Sequence, residues 1–457
     1  MEFSVKNIGA IQQATLSLGK MTIVCGENNM GKTYMAYALY GFLDFWNNKF
    51  SLDISFKDAE KLLSQGSLEI DLSKFLNDYI SILEKAEKKY TQFLSSVFAS
   101  DEKKFHNSVF RINQQEIPNL DKKEIFFSVP LNNSDTSFFF KKEKSSNLLK
   151  VNYVSKEAKF EVPHFIVREI LSDAIKKIVF DFKNAFIVST ERTGAALFKN
   201  DLNIRNNQML REIASSPKDI KDPFDLLLKM GNIYALPISE NVDLVNRMDD
   251  FSKRESFIST SKPEILEKLS EIVGGEYKNQ KNNGVLFCIN NIKLKMRESS
   301  SSVRSLLIFD FYVRHLAKEG DLLIIDEPEL NLHPKNQRKL ARLLVDLTNC
   351  GISVFITTHS DYIVREISNI IMLSQDGEKL KNIAKKYGYS EETKIKAEDV
   401  KIYTAKKEKN LFPGELRSKV CRTLFPISVS NEKGIEASAF DDEIDEMNQI
   451  YDAIIWS

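Results

Sequence analysis

The chain predicts an α/β fold: a largely parallel sheet covered by helices, with a mixed helical and β insertion. Three observations lead there. Apolar runs stand at residues 21–25, 322–325 and 352–356, the second of them unbroken, helix-period segments lie beside them, and the sequence turns charged and loop-rich from about residue 47 to 284. Strands buried on both faces read as continuous apolar runs, and their alternation with helices marks a parallel sheet.

Residues 2–5 and 10–18 read as strands joined by a turn, ahead of the apolar strand at 21–25. After a glycine-containing loop, residues 34–45 are apolar nearly all round, which suits a helix buried on several sides. Residues 1–46 therefore form the first part of a head, and 47–284 an insertion. Within the insertion, 72–98 places Leu76, Tyr79, Ile80, Leu83, Tyr90 and Leu94 at mostly helical spacing. Residues 125–129, 137–140 and 148–154 read as strands of a small sheet, and 165–182 as an amphipathic helix. A short buried strand at 186–188, ending in Glu191-Arg192-Thr193-Gly194, returns to the head. The head's second part, 285–457, opens with a strand at 285–289, a serine run and a long helix. The strand at 322–325, a helix at 334–349 and the strand at 352–356 follow.

Bulk properties narrow the functional classes. At 457 residues the chain holds about three average domains, or one large domain with an insertion. Its 42% apolar and 28% charged residues argue against disorder and fibrous classes. Lys plus Arg and Asp plus Glu balance at 64 each, so net charge supplies no general attraction to phosphate backbones or anionic membranes. Any nucleic-acid contact needs a local basic patch. Cys25, Cys288, Cys350 and Cys421 lie far apart without a CxxC pair and read as reduced, structural thiols. No apolar run approaches a bilayer span and residues 1–6 lack a signal-like apolar region, so a cytoplasmic location is expected.

The strongest local signal is Gly26-Glu27-Asn28-Asn29-Met30-Gly31-Lys32-Thr33, a full match to GxxxxGK[ST] between an apolar strand and a helix. Glycines let backbone N–H groups curl around phosphates, the lysine neutralises β/γ charge, and the hydroxyl joins the shell of a Mg2+ ion. The second signal is Leu322-Leu323-Ile324-Ile325-Asp326-Glu327, a buried strand ending in two carboxylates. Alone, two acids at a strand end are common caps. Joined to the phosphate loop they read as a Walker B pair, with Asp326 holding Mg2+ and Glu327 polarising the attacking water. Thr357-Thr358-His359-Ser360 follows the next apolar strand, placing His359 at the ligand side of a parallel sheet, within reach of the γ-phosphate.

Ile325 to Pro334 spells IDEPELNLHP and Thr357 to Ser360 spells TTHS. With these phrases the chain resembles the ABC-type P-loop ATPases of the SMC, RecF and OLD group, over about its first 45 and last 170 residues. The resemblance implies a P-loop NTPase head of the ABC/SMC type, with ATP and Mg2+ as cofactors and ATP sandwiched between two subunits. It maps the signature segment onto Ser299 to Arg304, with Ser301 and Ser302 as the phosphate contacts, and the D-loop onto Asn331-Leu332-His333, with Asn331 at the nucleotide. The glycine pair of transporter signatures is missing, which leaves open which serine makes the contact, and a flexible loop is the alternative reading of a serine run. No Q-loop glutamine is assigned. The ERTG phrase resembles a strand-end motif of the same subgroup, where Arg192 would reach a phosphate or an acidic partner.

OLD-type relatives carry a nuclease domain after the ATPase. Here Asp441, Asp442, Glu443, Asp445 and Glu446 cluster without an upstream glutamate in a glycine-containing strand turn, and read as a solvated helix face. Nuclease chemistry is therefore expected on another chain. The resemblance points to anti-phage ATPases such as those of the Septu and PARIS systems, acting as a homodimer or higher oligomer beside a separately encoded nuclease or toxin, with no membrane partner. The rival reading is a RecF-like ATPase that binds DNA in repair or chromosome maintenance.

Overall fold

The computed structural model describes all residues except 114–115, 132–135, 156–161, 198–233, 281–283, 391, 411–417, 437 and 457. It contains two compact units. One is formed by Phe42–Thr91 and Phe110–Asn184, the other by Glu2–Gly41, Gln92–Val109 and Ala185–Ser457.

The larger unit is built on a six-stranded sheet. The elements that frame its site are, in chain order, β1 (Glu2–Ile8), β2 (Ile11–Ser17), β3 (Met21–Gly26), α1 (Lys32–Asn48), β4 (Ala185–Val188), α2 (Arg192–Leu197), α3 (Ser301–Phe311), β5 (Leu322–Asp326), α4 (Pro334–Asn349), β6 (Ser353–Thr358), α5 (Asp361–Leu373), β7 (Val400–Asn410) and β8 (Lys419–Pro426); the expected strand at 285–289 lies in a separate three-stranded antiparallel sheet. The first two strands pair as an antiparallel hairpin. Across the main sheet the order is β8-β7-β3-β6-β5-β4. All neighbours run parallel except the β7–β8 pair.

No residue of β5 or β6 is exposed, which accounts for the apolar stretches 322–325 and 354–356 within them. Pro334 opens α4 at a position where its missing N–H costs nothing, and the His333 side chain caps the first turn by accepting from Lys335 N. The Ser360 side chain caps α5 in the same way, accepting from Ile363 N. Leu340, Leu343, Leu344 and Leu347 on α4, with Ile363, Ile367, Ile370 and Ile371 on α5, enter one hydrophobic core with β3, β5 and β6. Each such side chain contributes about 1.5–3 kcal/mol when fully buried. The expected long helix after the serine run ends its α-form at Phe311 and continues as one wider π-type turn, Tyr312–Leu316.

The smaller unit carries a four-stranded antiparallel sheet in the order Ser67–Asp71, Leu148–Ser155, Thr136–Lys142, Ile125–Pro130. Its core is aromatic: Phe42 stacks on Phe110 at 4.9 Å, and Trp46 meets Phe180 at 4.8 Å. Lys176 is buried there and donates from Nζ to the carbonyls of Trp46 at 2.9 Å and Phe50 at 2.7 Å. The single helix expected over 72–98 is two, Ser73–Asn77 and Tyr79–Val97. Asp78 separates them at φ −90°, ψ 8°; aspartate is a weak helix former that suits such junctions. All four cysteines are free thiols. Among the described residues no helix is long and apolar enough to cross a membrane.

Candidate functional site

Between β3 and α1 the chain makes a tight loop with positive φ at Gly26 (125°), Asn29 (61°) and Gly31 (101°). Backbone of this kind curls its N–H groups into an anion-sized concavity. Neither glycine has room for a side chain. A Cβ on Gly31 would stand 2.6 Å from Ile11 Cγ1, and one on Gly26 would press on the backbone of Ala405. Glu27, Asn28 and Asn29 are exposed and Met30 half-buried, whereas Lys32 is buried. Its Nζ donates to the carbonyls of Gly26 at 3.0 Å and Glu27 at 2.8 Å, and lies 3.5 Å from His359 Nδ1. Burial lowers the ammonium pKa, and the charges of Glu327 and Asp326 oppose that shift.

Asp326, the last residue of β5, is completely buried. Its Oδ1 accepts from Thr33 Oγ1 at 3.2 Å and from the Thr357 hydroxyl. Its Oδ2 is buried without a partner. Burial pushes the carboxyl up to about 6, although the two hydroxyls pull it back. One residue on, Glu327 leaves the strand in the left-handed region at φ 53°. Its N–H donates to both the carbonyl and the hydroxyl oxygen of Thr357, each at 3.1 Å. The Glu327 carboxylate is 30% exposed and sits 3.5 Å from His359 Nε2. The hydrogen bond with that imidazole holds its carboxyl below the usual glutamate range.

Lys32, Thr33, Asp326, Glu327 and His359 thus meet at the ends of β3, β5 and β6. Ser301, Ser302 and Asn331 are not joined to this group. Among the described residues no hydrogen bond links them to the phosphate loop: Ser300 and Ser302 share a bond at 2.8 Å, and Asn331 is exposed at φ 61°. The serine run is ordered helix start, because the Ser300 side chain caps α3 by accepting from Val303 N.

The Arg192 guanidinium donates to main-chain carbonyls, those of Ser189, Ser305, Asp326 and Glu327, with the charges of Asp326, Glu329 and Glu327 acting on it from nearby. Thr357 and Glu329 escaped the sequence reading as site residues. Glu329 Oε1 accepts from the Thr358 hydroxyl at 2.9 Å and from His359 N at 2.6 Å, so it orients the histidine segment. Both stand inside the quoted phrases, but no spacing rule marks them. The acidic residues at 441–446 fall on the helix Ser438–Ile455, where the later residues Met447, Ile450, Tyr451 and Trp456, the last just past its end, expose apolar surface.

A strand, phosphate loop and helix facing a carboxylate-tipped parallel strand define a P-loop ATPase head. The AAA ATPase domain family matches residues 1–364, and the chain belongs to that family. Shorter similarities reach transporter subunits. A fluoroquinolones export ATP-binding protein of Mycobacterium tuberculosis is 35% identical over 66 residues, 14% of this chain and 22% of that protein. An energy-coupling factor transporter ATP-binding protein of Mycoplasma pneumoniae is 34% identical over 67 residues, 15% of this chain and 22% of its own length. The chain thus spans about a fifth of these relatives. Among solved structures, the SMC head domain from Thermotoga maritima aligns over 94% of this chain and 98% of its own, at 10% identity and a TM-score of 0.30. An Smc head domain with an extended coiled coil, bound to the C-terminal domain of ScpA and derived from Pyrococcus furiosus, aligns over 98% of both chains at 11% identity and a TM-score of 0.31. Superpositions this loose define no shared function.

Proposed function

We propose that the chain binds Mg2+·ATP at this site and hydrolyses it, and that two copies close around nucleotide to control a separate nuclease or toxin in anti-phage defence, in the cytoplasm. The observation that carries the reading is the 3.2 Å contact between Thr33 Oγ1 and Asp326 Oδ1, which joins the phosphate loop to the carboxylate strand.

The residues fit a hard cation. Asp326 Oδ2 is a buried acceptor without a donor, and a hydroxyl beside one carboxylate suits Mg2+ that keeps most of its waters. Thr33 and Asp326 would hold the ion, which neutralises phosphate charge when bound. The N–H groups of residues 26–33 cradle the phosphates, and Lys32 turns its ammonium from the loop carbonyls to β/γ oxygens. Glu327 is ionised at neutral pH and partly exposed, so it can orient water and accept its proton. His359, held by Glu329, faces the γ-phosphate side of the same cleft. Ser301 and Ser302 at the start of α3 suit an anion presented by a second copy, and Asn331 would serve the same dimer junction as the D-loop residue. Exposed apolar side chains at Met447, Ile450, Tyr451 and Trp456 support a protein partner.

Glu327→Gln tests the whole reading. Turnover should fall by about 10²–10⁴-fold while ATP stays bound, and the variant should elute as an ATP-dependent dimer that retains the product of the neighbouring gene. Unchanged turnover removes Glu327 as the base. Failure to form either complex, joined with salt-sensitive DNA binding, would transfer the chain to the DNA-clamp class.

A further inference from the structure

Arg192 is 1% exposed, and the acceptors of its guanidinium are four main-chain carbonyls. Its Nε donates to Ser305 O at 2.8 Å, Nη1 to Ser189 O at 2.9 Å and to Asp326 O at 2.8 Å, and Nη2 to Glu327 O at 2.6 Å. One rigid fork therefore gathers the exit of β4, the exit of β5 and the second turn of α3. A buried cation set on neutral carbonyls is an expensive way to stitch a core, since desolvating a charge is repaid only by excellent geometry. The location of the acceptors is therefore the informative point.

Two of those acceptors flank the backbone of Glu327, which stands at φ 53° without being glycine. Left-handed backbone crowds a β-carbon, so the conformation persists only where neighbours over-determine it. Thr357 takes the N–H of Glu327 on one side, and Arg192 takes its carbonyl on the other. Neither contact uses the carboxylate, which is left to face His359.

We propose that Arg192 is a positioning residue that clamps the left-handed Glu327 for catalysis and mechanically joins it to α3, the helix that begins at Ser301 and Ser302. The inference rests on the ATPase reading above and deepens it. A shift of α3 on engaging an anion at Ser301 or Ser302 reaches the glutamate through a single side chain.

Arg192→Lys in the full chain is the test, because an ammonium keeps the charge and loses the fork. Turnover should fall by about 10–100-fold, the effect of a misplacement near 1 Å. Affinity for AMP-PNP should stay within about threefold, as expected when an interaction acts on the transition state alone. In the Glu327→Gln background the same substitution should cause no further loss of turnover, because its effect runs through Glu327. Parallel loss of affinity and turnover, multiplying losses in the double variant, or full activity of Arg192→Lys each overturns the proposal. If the lysine variant does not fold, Arg192→Met, which fills the stem's volume, is judged by the same criteria. Wild-type protein without ATP turnover defeats the ATPase reading itself, and this inference with it.

Discussion

Asp326→Asn is expected to make the nucleotide-free chain more stable and the Mg2+·ATP-bound chain less so. The carboxyl is completely buried, and burial raises its pKa from the ordinary 3.8 to about 6. The sign follows from which state holds the proton. Between about pH 4 and 6 the folded chain keeps a proton that the unfolded chain has lost, so the stability drawn from this group falls as pH rises through that window and is flat above it. At about 1.4 kcal/mol per pH unit, the ionised carboxylate costs the fold about 3 kcal/mol at pH 8. An amide keeps the Oδ1 acceptor for Thr33 and Thr357, but places an unpaired N–H donor where Oδ2 has no partner, which takes back about 1–2 kcal/mol. A net gain of about 1–2 kcal/mol is left for urea unfolding at pH 8 without nucleotide, and it should turn into a net loss of about 1 kcal/mol near pH 4, where the wild-type carboxyl is protonated. Added Mg2+·ATP at a hundred times its Kd should stabilise the wild type by about 2.7 kcal/mol. The variant should gain far less, reversing the ranking. A variant less stable than wild type at pH 8 without nucleotide, or one with the same advantage at pH 4 and pH 8, refutes the reasoning.

Lys32→Ala removes the ammonium expected to face the phosphates, and ATP affinity measured by calorimetry should fall by about 10–100-fold, the worth of a charged hydrogen bond. Leu344→Ala opens a cavity under α4, so urea unfolding should show a loss of about 2–5 kcal/mol while turnover per folded molecule stays unchanged. The two variants separate the site from its scaffold, since one should spare stability and the other chemistry.

The phosphate loop, the strand β5 and the TTHS segment were legible because each is contiguous, and the chemistry of each is written in neighbouring residue types. Parallel pairing of β3, β5 and β6 was legible for a related reason: strands buried on both faces cannot alternate polar and apolar residues. The contacts of Arg192 were not, because its acceptors are backbone carbonyls, which every residue carries, and Ser305 is more than a hundred positions away. The left-handed turn at Glu327 was equally silent, since glycine, the usual marker of such backbone, is absent there. Asp78 hid a helix break inside an apolar period that continues across it. The serine run reads as a signature segment at a helix start with a flexible loop as the alternative, and the cap from Ser300 to Val303 shows the helix start.

The place of β3 in the sheet has a consequence for biosynthesis. This first-made central strand is flanked by β6 and β7, which leave the ribosome only after residues 353–358 and 400–410 have been translated. At about 5–20 residues per second, an apolar segment waits on the order of tens of seconds for both neighbours. During that interval its hydrogen-bonding edges are open to any nascent chain nearby, so production should respond to holdase chaperones and to slower growth temperature more than that of a protein whose adjacent strands are made in succession.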